Sequence, residues 1–359
     1  MTNRKHYLDN LRTFAVLMLL PQHTLMLFNN WGEAWYIHST DLLLPSTIKE
    51  FNSLWMMPLL FTIAGISSRY ALERRDAGVY VKERVSKLLV PLFFGLLLVV
   101  PVQSFIAGLY WNGHAGYFDS FTKLTDLRGY DGAFTTGQLW FLLFLFVIAM
   151  VSLPFVLLYK KKGKGTFGDG VPLVCLILVG ILPLLGLITF DISGISPVEY
   201  LAYFLLGYFF LTGERVLAKL DRYRFMLLGL FVLCAGSFMC LFLFPFQDGS
   251  WIELPIFLYI IPLAIQWASW LAVLALIGLA RHYLDFSGKI SAYLSKSSFG
   301  VFLFHQSWLV IAGYFVLQIT EAPGLQYPLI LFSTFVLTFL TYEIVRRVPP
   351  LRWMFALKK

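Results

Sequence analysis

Arg12 and His23 are the two residues whose types and spacing most clearly suggest chemistry. They lie eleven residues apart in one apolar segment. On an α-helix, eleven steps of about 100° complete three turns plus roughly 20°, so the two side chains share a face. At about 1.5 Å of rise per residue they differ in depth by roughly 16 Å. In a membrane span, the arginine would mark the rim and the imidazole would lie near mid-bilayer, where ionisable groups are costly and usually functional.

The neighbours of His23 favour a polar cavity. An intramembrane histidine can simply hydrogen-bond a neighbouring helix. Pro21, however, lacks a backbone donor, which leaves the carbonyl of Leu17 without its usual partner and predicts a kink. Such breaks occur where helices line a polar cavity, and the polar residues Gln22 and Thr24 flank His23. We therefore expect His23 to contact a ligand or to act in catalysis.

His305 is the second intramembrane imidazole. It lies about two turns into another apolar segment, and Gln306 and Ser307 follow it. The sequence leaves two roles open for His305, a structural hydrogen bond or a chemical step. Four other polar residues of the apolar segments do not individually indicate a function: Gln103, Gln138, Gln266 and Glu343.

The elements that position these residues are predicted to be membrane-spanning helices. Of 359 residues, 58% are hydrophobic and only 13% are charged, which is unlike a soluble domain. The apolar stretches are continuous rather than alternating, which disfavours a β-barrel. We predict an all-α polytopic membrane protein with a single transmembrane domain over residues 1–359. It has about ten predicted spans, at residues 12–29, 51–70, 88–110, 138–159, 171–190, 197–213, 223–244, 252–280, 297–319 and 326–345.

The basic residues predict the orientation of these spans. All but three of the 28 Lys and Arg residues lie at the termini or in alternate connections, the exceptions being Lys49, Lys123 and Arg128. By the positive-inside rule, both termini are cytoplasmic. The net charge of +8 is thus interpreted as a topology signal in a lipid bilayer, and no nucleic-acid partner is expected.

The densest basic segment, residues 69–87, allows two interpretations. Its charge can reflect topology and attraction to anionic lipid, or it can bind an anionic ligand such as a nucleotide phosphate. Arg84 and Lys87 are i and i+3, hence neighbours on one face of a regular α-helix.

Other motifs carry less weight. The predicted non-cytoplasmic loop 111–137 is rich in aromatic residues, which fit sugar stacking or, more commonly, an interfacial belt. Gly163-Lys-Gly165-Thr-Phe-Gly168 matches a dinucleotide fingerprint in letters but lacks its βαβ context. His114-x-x-x-x-Asp119 has an acyltransferase-like spacing but lies on the predicted outer side. No metal is expected, because three cysteines lack ligand spacing: Cys175, Cys234 and Cys240.

Several of these residues together resemble the acyltransferase-3 family of integral membrane proteins. The opening Tyr7-Leu-Asp9-Asn-Leu-Arg12, followed by ten residues and His23, is similar to the family's first signature. The resemblance continues, in order, through Phe61-x-x-x-Gly65, the basic pair before Pro91, Leu139-Trp-Phe-Leu142, Ser297-Ser298-Phe-Gly-Val-Phe-Leu-Phe-His305 and Pro350-Leu-Arg352. Within the family, the Trp-Phe-Leu sequence looks most like the branch that contains periplasmic glucan succinyltransferases.

The resemblance implies a function. Family members transfer acyl groups, and here the donor would be cytoplasmic acyl-CoA (acetyl-CoA or succinyl-CoA), held by Arg12, Arg84 and Lys87 as the cofactor-binding residues. The acceptor would be a hydroxyl of an extracytoplasmic carbohydrate or glucan of the cell envelope, across the inner membrane of a bacterium. His23 would act as general base or acyl relay, with His305 as the second catalytic candidate.

Two departures from the family pattern matter. Lys87 stands where the family has a second arginine, so charge is kept but bidentate phosphate recognition is not. The fourth span has no acid where many members carry a glutamate. The competing function is a transporter or flippase of an anionic or carbohydrate substrate with His23 as proton relay. The sequence shows no inverted repeat and few intramembrane acids, which disfavours that alternative.

Overall fold

The chain is helical throughout the part that the computed structural model describes, which comprises residues 5–30, 35–123, 129–161, 167–243 and 261–358. Short 3₁₀ segments and one π segment join the helices, and no β-strand forms within these residues. In chain order the α-helices are α1 His6–Leu17, α2 Leu19–Leu25, α3 Leu43–Arg74, α4 Ala77–Arg84, α5 Val90–Leu98, α6 Val100–Asn112, α7 Trp140–Lys161, α8 Leu173–Leu178, α9 Pro197–Phe210, α10 Glu214–Arg222, α11 Arg224–Leu243, α12 Ile261–Tyr283, α13 Lys289–Ile319, α14 Pro323–Val345 and α15 Pro349–Met354.

The predicted fold class, an all-α polytopic membrane protein, is confirmed. Within the described ranges, seven helical stretches are long and apolar enough to cross a membrane. The pair α9 and α10 passes the same test together but is bent by 106°, so an eighth span is broken or re-entrant. Two further apolar helices, Leu173–Gly186 and Arg224–Met239, are shorter. The count of ten, the cytoplasmic termini and the single domain stay predictions, and residues 252–260 of the eighth predicted span lie outside the described residues.

The first span is interrupted where Pro21 predicts a break. Helix α1 ends at Leu17, α2 begins at Leu19, and a 3₁₀ turn, Met26–Phe28, completes the span. The cause is local, since Pro21 has no N–H to donate to the carbonyl of Leu17. His23 therefore lies on a short helical piece just after the break.

Proline also shapes the start of the third span. A π segment, Val85–Leu89, separates α4 from α5, and the N–H of Val90 reaches back five residues to the carbonyl of Val85. Pro91 follows at once, and its ring would clash with the carbonyl of Lys87 in a regular α-helix. The wider turn accommodates that carbonyl. Such π segments are frequent at functional sites, and this one contains Lys87.

The chain divides into two compact units, each built from separated stretches. Unit 1 comprises Met1–Arg12, Glu50–Tyr80 and Val147–Ser287, and unit 2 comprises Thr13–Lys49, Val81–Phe146 and Gly288–Lys359.

In unit 1, a motif of the family resemblance has a packing role. Helix α3 approaches α9 so closely that a Cβ on Gly65 would lie 2.0 Å from the carbonyl oxygen of Phe204. Gly207 makes the reciprocal approach, since its Cβ would lie 2.2 Å from the carbonyl oxygen of Thr62. Phe61 stacks on Tyr200 with ring centroids 4.4 Å apart. Small residues permit such close helix contacts in membranes, so Phe61-x-x-x-Gly65 fixes helix spacing.

In unit 2, α13 is the central helix. It packs against α2, α6 and α14. Gly313 lets the loop after the first span close on α13, because a Cβ there would lie 2.2 Å from Cδ1 of Ile37. A buried apolar cluster forms around this contact, from the 3₁₀ turn Met26–Phe28, the following loop, α6, α13 and α14. This packing brings α2 and α13, which carry the two intramembrane histidines, side by side.

Candidate active site

His23 and His305 form a hydrogen-bonded pair inside unit 2. The Nδ1 atom of His23 lies 3.0 Å from the Nε2 atom of His305. The rings are nearly parallel, with 14° between their planes and centroids 5.1 Å apart. His305 is fully buried, whereas His23 is partly exposed. The structure thus joins two candidates that are 282 residues apart.

The partners of His305 fix which nitrogens carry protons. Its Nδ1 atom lies 3.0 Å from the carbonyl oxygens of both Val301 and Phe302. A carbonyl only accepts, so Nδ1 of His305 carries the hydrogen, and its Nε2 presents a lone pair when the ring is neutral. His23 must then donate from Nδ1 to that lone pair. Its own Nε2 is left unprotonated, as a general base requires.

Trp35 covers one side of His23. The indole stacks on the imidazole with centroids 6.3 Å apart and 24° between the planes. Trp35 is buried, and its carbonyl accepts a hydrogen bond of 3.1 Å from Nε1 of Trp111. Sequence reasoning did not single out Trp35, and it interpreted Trp111 mainly as a belt residue. The position of Trp35, soon after the span that carries His23, was the sequence feature that could have indicated this contact.

A buried amide network adjoins His305. Nε2 of Gln306 donates to Oε1 of Gln103. Nε2 of Gln103 donates in turn to Oε1 of Gln138 and to Oγ of Ser307. Ser307 donates to the carbonyl of Val99, at the junction of α5 and α6. Gln103 and Gln138 looked uninformative one at a time. The available signal was that several amide side chains recur in apolar spans. Burying an amide there costs free energy unless it is hydrogen-bonded, so such amides are expected to bond to one another.

Tyr36 extends this polar region toward the loop before α7. Its hydroxyl lies 2.9 Å from Oγ1 of Thr135. Burial raises the pKa of Tyr36 far above its usual range, so the phenol stays neutral and available as a hydrogen-bond donor.

The three basic candidates lie in different units, and Arg12 and Lys87 have acidic partners. Arg12 belongs to unit 1, where it donates to Asp9 at 2.9 Å with its side chain 42% exposed. Arg84 and Lys87 belong to unit 2. Nζ of Lys87 lies 3.6 Å from Oε2 of Glu83. The π segment begins directly after Arg84 and contains Lys87, and the shared face of these two residues stays a prediction. A joint donor site for the three cations stays a prediction.

Two weaker motifs have local structural contacts. The ring of His114 lies 2.9 Å from the carbonyl of Asn112, and the carboxylate of Asp119 accepts from the N–H of Gly116. Both contacts stabilise the loop after α6. The glycine-rich stretch 163–165 lies outside the described residues, as does the side chain of Cys240.

Comparison with known proteins supports the interpretation of the motifs. A family model described as an acyltransferase domain, of the acyltransferase-3 type, matches residues 5–343. The match spans nearly the whole chain and contains every candidate residue above. No curated protein and no solved structure matches the chain significantly.

Proposed function

Because this chain belongs to the acyltransferase-3 family, we propose a specific reaction for it. The protein is a multi-pass membrane acyltransferase, and its proposed reaction moves an acetyl or succinyl group from cytoplasmic acyl-CoA to a hydroxyl of a cell-envelope carbohydrate. The proposed location is the inner membrane of a bacterium. The observation that carries the proposal is the His23–His305 pair, which leaves Nε2 of His23 free of a proton.

The pair supports general base catalysis. The acceptor hydroxyl donates to Nε2 of His23 and gives up its proton as the oxygen attacks the thioester carbonyl. His23 becomes an imidazolium, whose Nδ1–H bond to His305 turns charge-assisted and therefore stronger. The tetrahedral intermediate collapses, the C–S bond breaks, and the thiolate takes the proton from Nε2. An ester and free CoA are the products, and His23 returns to its starting state.

The same geometry supports an acyl relay. Nε2 of His23 would attack the thioester carbonyl, displace the thiolate and become acylated. The departing thiolate would take a proton from water. The acyl-imidazolium would pass its Nδ1 proton to Nε2 of His305, and that proton would return as Nε2 of His23 leaves the acyl carbon. The acceptor hydroxyl, which attacks that carbon, would release its own proton to water. This route separates the donor step from the acceptor step, so a labelled acyl-protein distinguishes it from direct transfer.

The donor is proposed to bind through cations at the cytoplasmic end. Arg12 has five N–H donors, and its bond to Asp9 uses one of them. The expectation from the sequence is that the donor phosphates bind Arg12 and that the acyl end of the donor reaches His23. Arg84 and Lys87 are proposed as further phosphate-binding residues, through charge-assisted hydrogen bonds.

The test uses inverted membrane vesicles that contain the full-length protein and are supplied with radiolabelled acetyl-CoA or succinyl-CoA. We expect label in carbohydrate, and a rate lowered by about 10²- to 10⁴-fold in His23→Ala, the usual contribution of a general base. His114→Ala, which removes an exposed loop histidine, is the matched control and should behave like the parent. Equal turnover in His23→Ala and the parent would refute the assignment. Carbohydrate transport without labelling would favour the transporter.

A further inference from the structure

A pocket of about 410 Å³ opens in unit 2 away from the histidine pair. Its walls come from the stretch after the first span, the C-terminal ends of α6 and α13, and the start of α14. By the charge distribution, all of these ends face the non-cytoplasmic side. The volume lies within the range of small-molecule sites, roughly 300 to 1,000 Å³.

Part of the lining is a fixed polar frame. The hydroxyl of Tyr110 donates to the carbonyl of His38. The side chain of Gln326 accepts from Oγ of Ser39 and donates to the carbonyl of Thr320 at 2.7 Å. These bonds tie α6, α14 and the loop after the first span together, so the pocket keeps its shape without a ligand.

Three other lining groups are available to a ligand. The Tyr314 hydroxyl, the Gln318 amide and the Glu321 carboxylate line the pocket and make no hydrogen bond within the described residues. Together they supply a hydroxyl, an amide that both donates and accepts, and a strong acceptor. Such a set fits a ligand with several hydroxyl groups, and the ring of Tyr314 offers an apolar face for its C–H bonds.

The charge of the lining selects against anions. Among the described residues that line the pocket, none is Lys or Arg. Nε2 of His38 is engaged by the carboxylate of Asp41 at 3.1 Å. The Glu321 carboxylate would repel a phosphate or a uronic acid. The chemistry therefore favours a neutral pyranose over the anionic donor.

The pocket is too far from the histidine pair to hold the reacting hydroxyl. Tyr314 and Leu317 follow His305 on α13 by nine and twelve residues, which is about 14 and 18 Å of helix rise. A connection does exist, since Trp35 stacks on His23 and lies three residues before His38. We propose that this pocket is a subsite for a neutral pyranose unit of the acceptor carbohydrate, remote from the unit that is acylated. Its role in an acceptor rests on the proposed function.

The test measures binding without acyl-CoA. Full-length protein in lipid nanodiscs is titrated with neutral glucose trisaccharides of different linkage and with a galacturonic acid trisaccharide. We expect at least one neutral trisaccharide to bind more tightly than the uronic acid. Tyr314→Phe removes a hydroxyl, and Glu321→Gln replaces a charged acceptor with a weaker neutral one. Each should weaken that binding roughly tenfold.

Two control variants should bind like the parent. Tyr327→Phe removes a nearby hydroxyl outside the pocket lining, and Ile319→Ala truncates an exposed neighbour. Binding unchanged by both pocket variants, no binding of any neutral trisaccharide, or tighter binding of the uronic acid would each overturn the subsite. Acyl transfer with an acceptor KM unaffected by Glu321→Gln would overturn the subsite alone. If trisaccharide binding depends on Glu321 but the protein transfers no acyl group, only the proposed function is refuted.

Discussion

His305 offers the sharpest test of the mechanism, because its predicted effect passes entirely through His23. His305→Leu removes the acceptor of the His23 Nδ1–H bond. Its own Nδ1–H bonds go to carbonyls of the preceding turn of α13, so no distant partner is lost. His305→Gln places an amide oxygen in the same region and can accept the His23 hydrogen again.

The magnitude follows from the charge on His23 in the transition state. A hydrogen bond to a charged group contributes about 1.5 to 3 kcal/mol. Losing it corresponds to roughly 10- to 150-fold in kcat. His23→Ala should cost more, about 10² to 10⁴, because it removes the base itself. We expect His305→Gln to recover part of the loss, and the KM for acyl-CoA to change little in either His305 variant.

The assay is acyl transfer by purified protein in proteoliposomes, with thermal unfolding and gel filtration as controls for folding. The double variant His23→Ala, His305→Leu is decisive, since residues that act as a unit are not additive. If His305 only positions and stabilises His23, the double variant is as slow as His23→Ala alone. A further loss of tenfold or more in the double variant would refute that reasoning and give His305 a separate contact with substrate. Parent-like activity in His305→Leu would refute it as well.

Two other predictions concern packing, one beside His23 and one within unit 1. Trp111→Phe removes the bond that holds the Trp35 carbonyl and should lower kcat by about 2- to 12-fold, the equivalent of 0.5 to 1.5 kcal/mol. Trp353→Phe, which changes an exposed tryptophan, is the control, and an unchanged kcat in Trp111→Phe would contradict a positioning role. Gly65→Ala puts a Cβ 2.0 Å from the Phe204 carbonyl and should destabilise the protein by about 1 to 3 kcal/mol in reversible denaturation. Gly78→Ala, which meets nothing within 4 Å, should be neutral or slightly stabilising, and equal effects of the two would disprove the close packing.

The sequence predicted the individual members of the site better than their arrangement. His23 and His305 were identifiable because an imidazole in an apolar span is costly and rarely accidental. Pro21 predicted the interruption at Leu17 because the missing N–H is a local fact. The hydrogen bond between the two histidines depends on the packing of α2 against α13. That contact joins distant parts of the chain, and no local rule specifies it.

Two features were missed for different physical reasons. The π segment, Val85–Leu89, replaces a regular turn because Pro91 must be accommodated, and periodicity alone gives no sign of an extra residue in a turn. The amide network of Gln103, Gln138 and Gln306 becomes meaningful only when its members meet. Each glutamine alone is a polar residue in an apolar span, and its cost or benefit is decided by its partner.

The composition of the site suggests why a histidine, rather than a carboxylate, supports His23. An ionised acid beside His23 would bring a full charge into the apolar region in the resting state, at a desolvation cost of several kcal/mol. His305 is neutral when it accepts from His23, and its own N–H is satisfied by carbonyls of its own helix. In the proposed mechanism, charge arises only during the reaction, on His23, and the hydrogen bond to His305 strengthens at that point. The absence of an acid in the fourth span is consistent with this arrangement, because a neutral pair surrounded by amides needs no buried counter-ion.

By the same reasoning, His305→Asp should not recover the activity that His305→Gln recovers. The carboxylate would pair with a protonated His23 in the resting state, and His23 would then be unable to accept the proton of the acceptor hydroxyl.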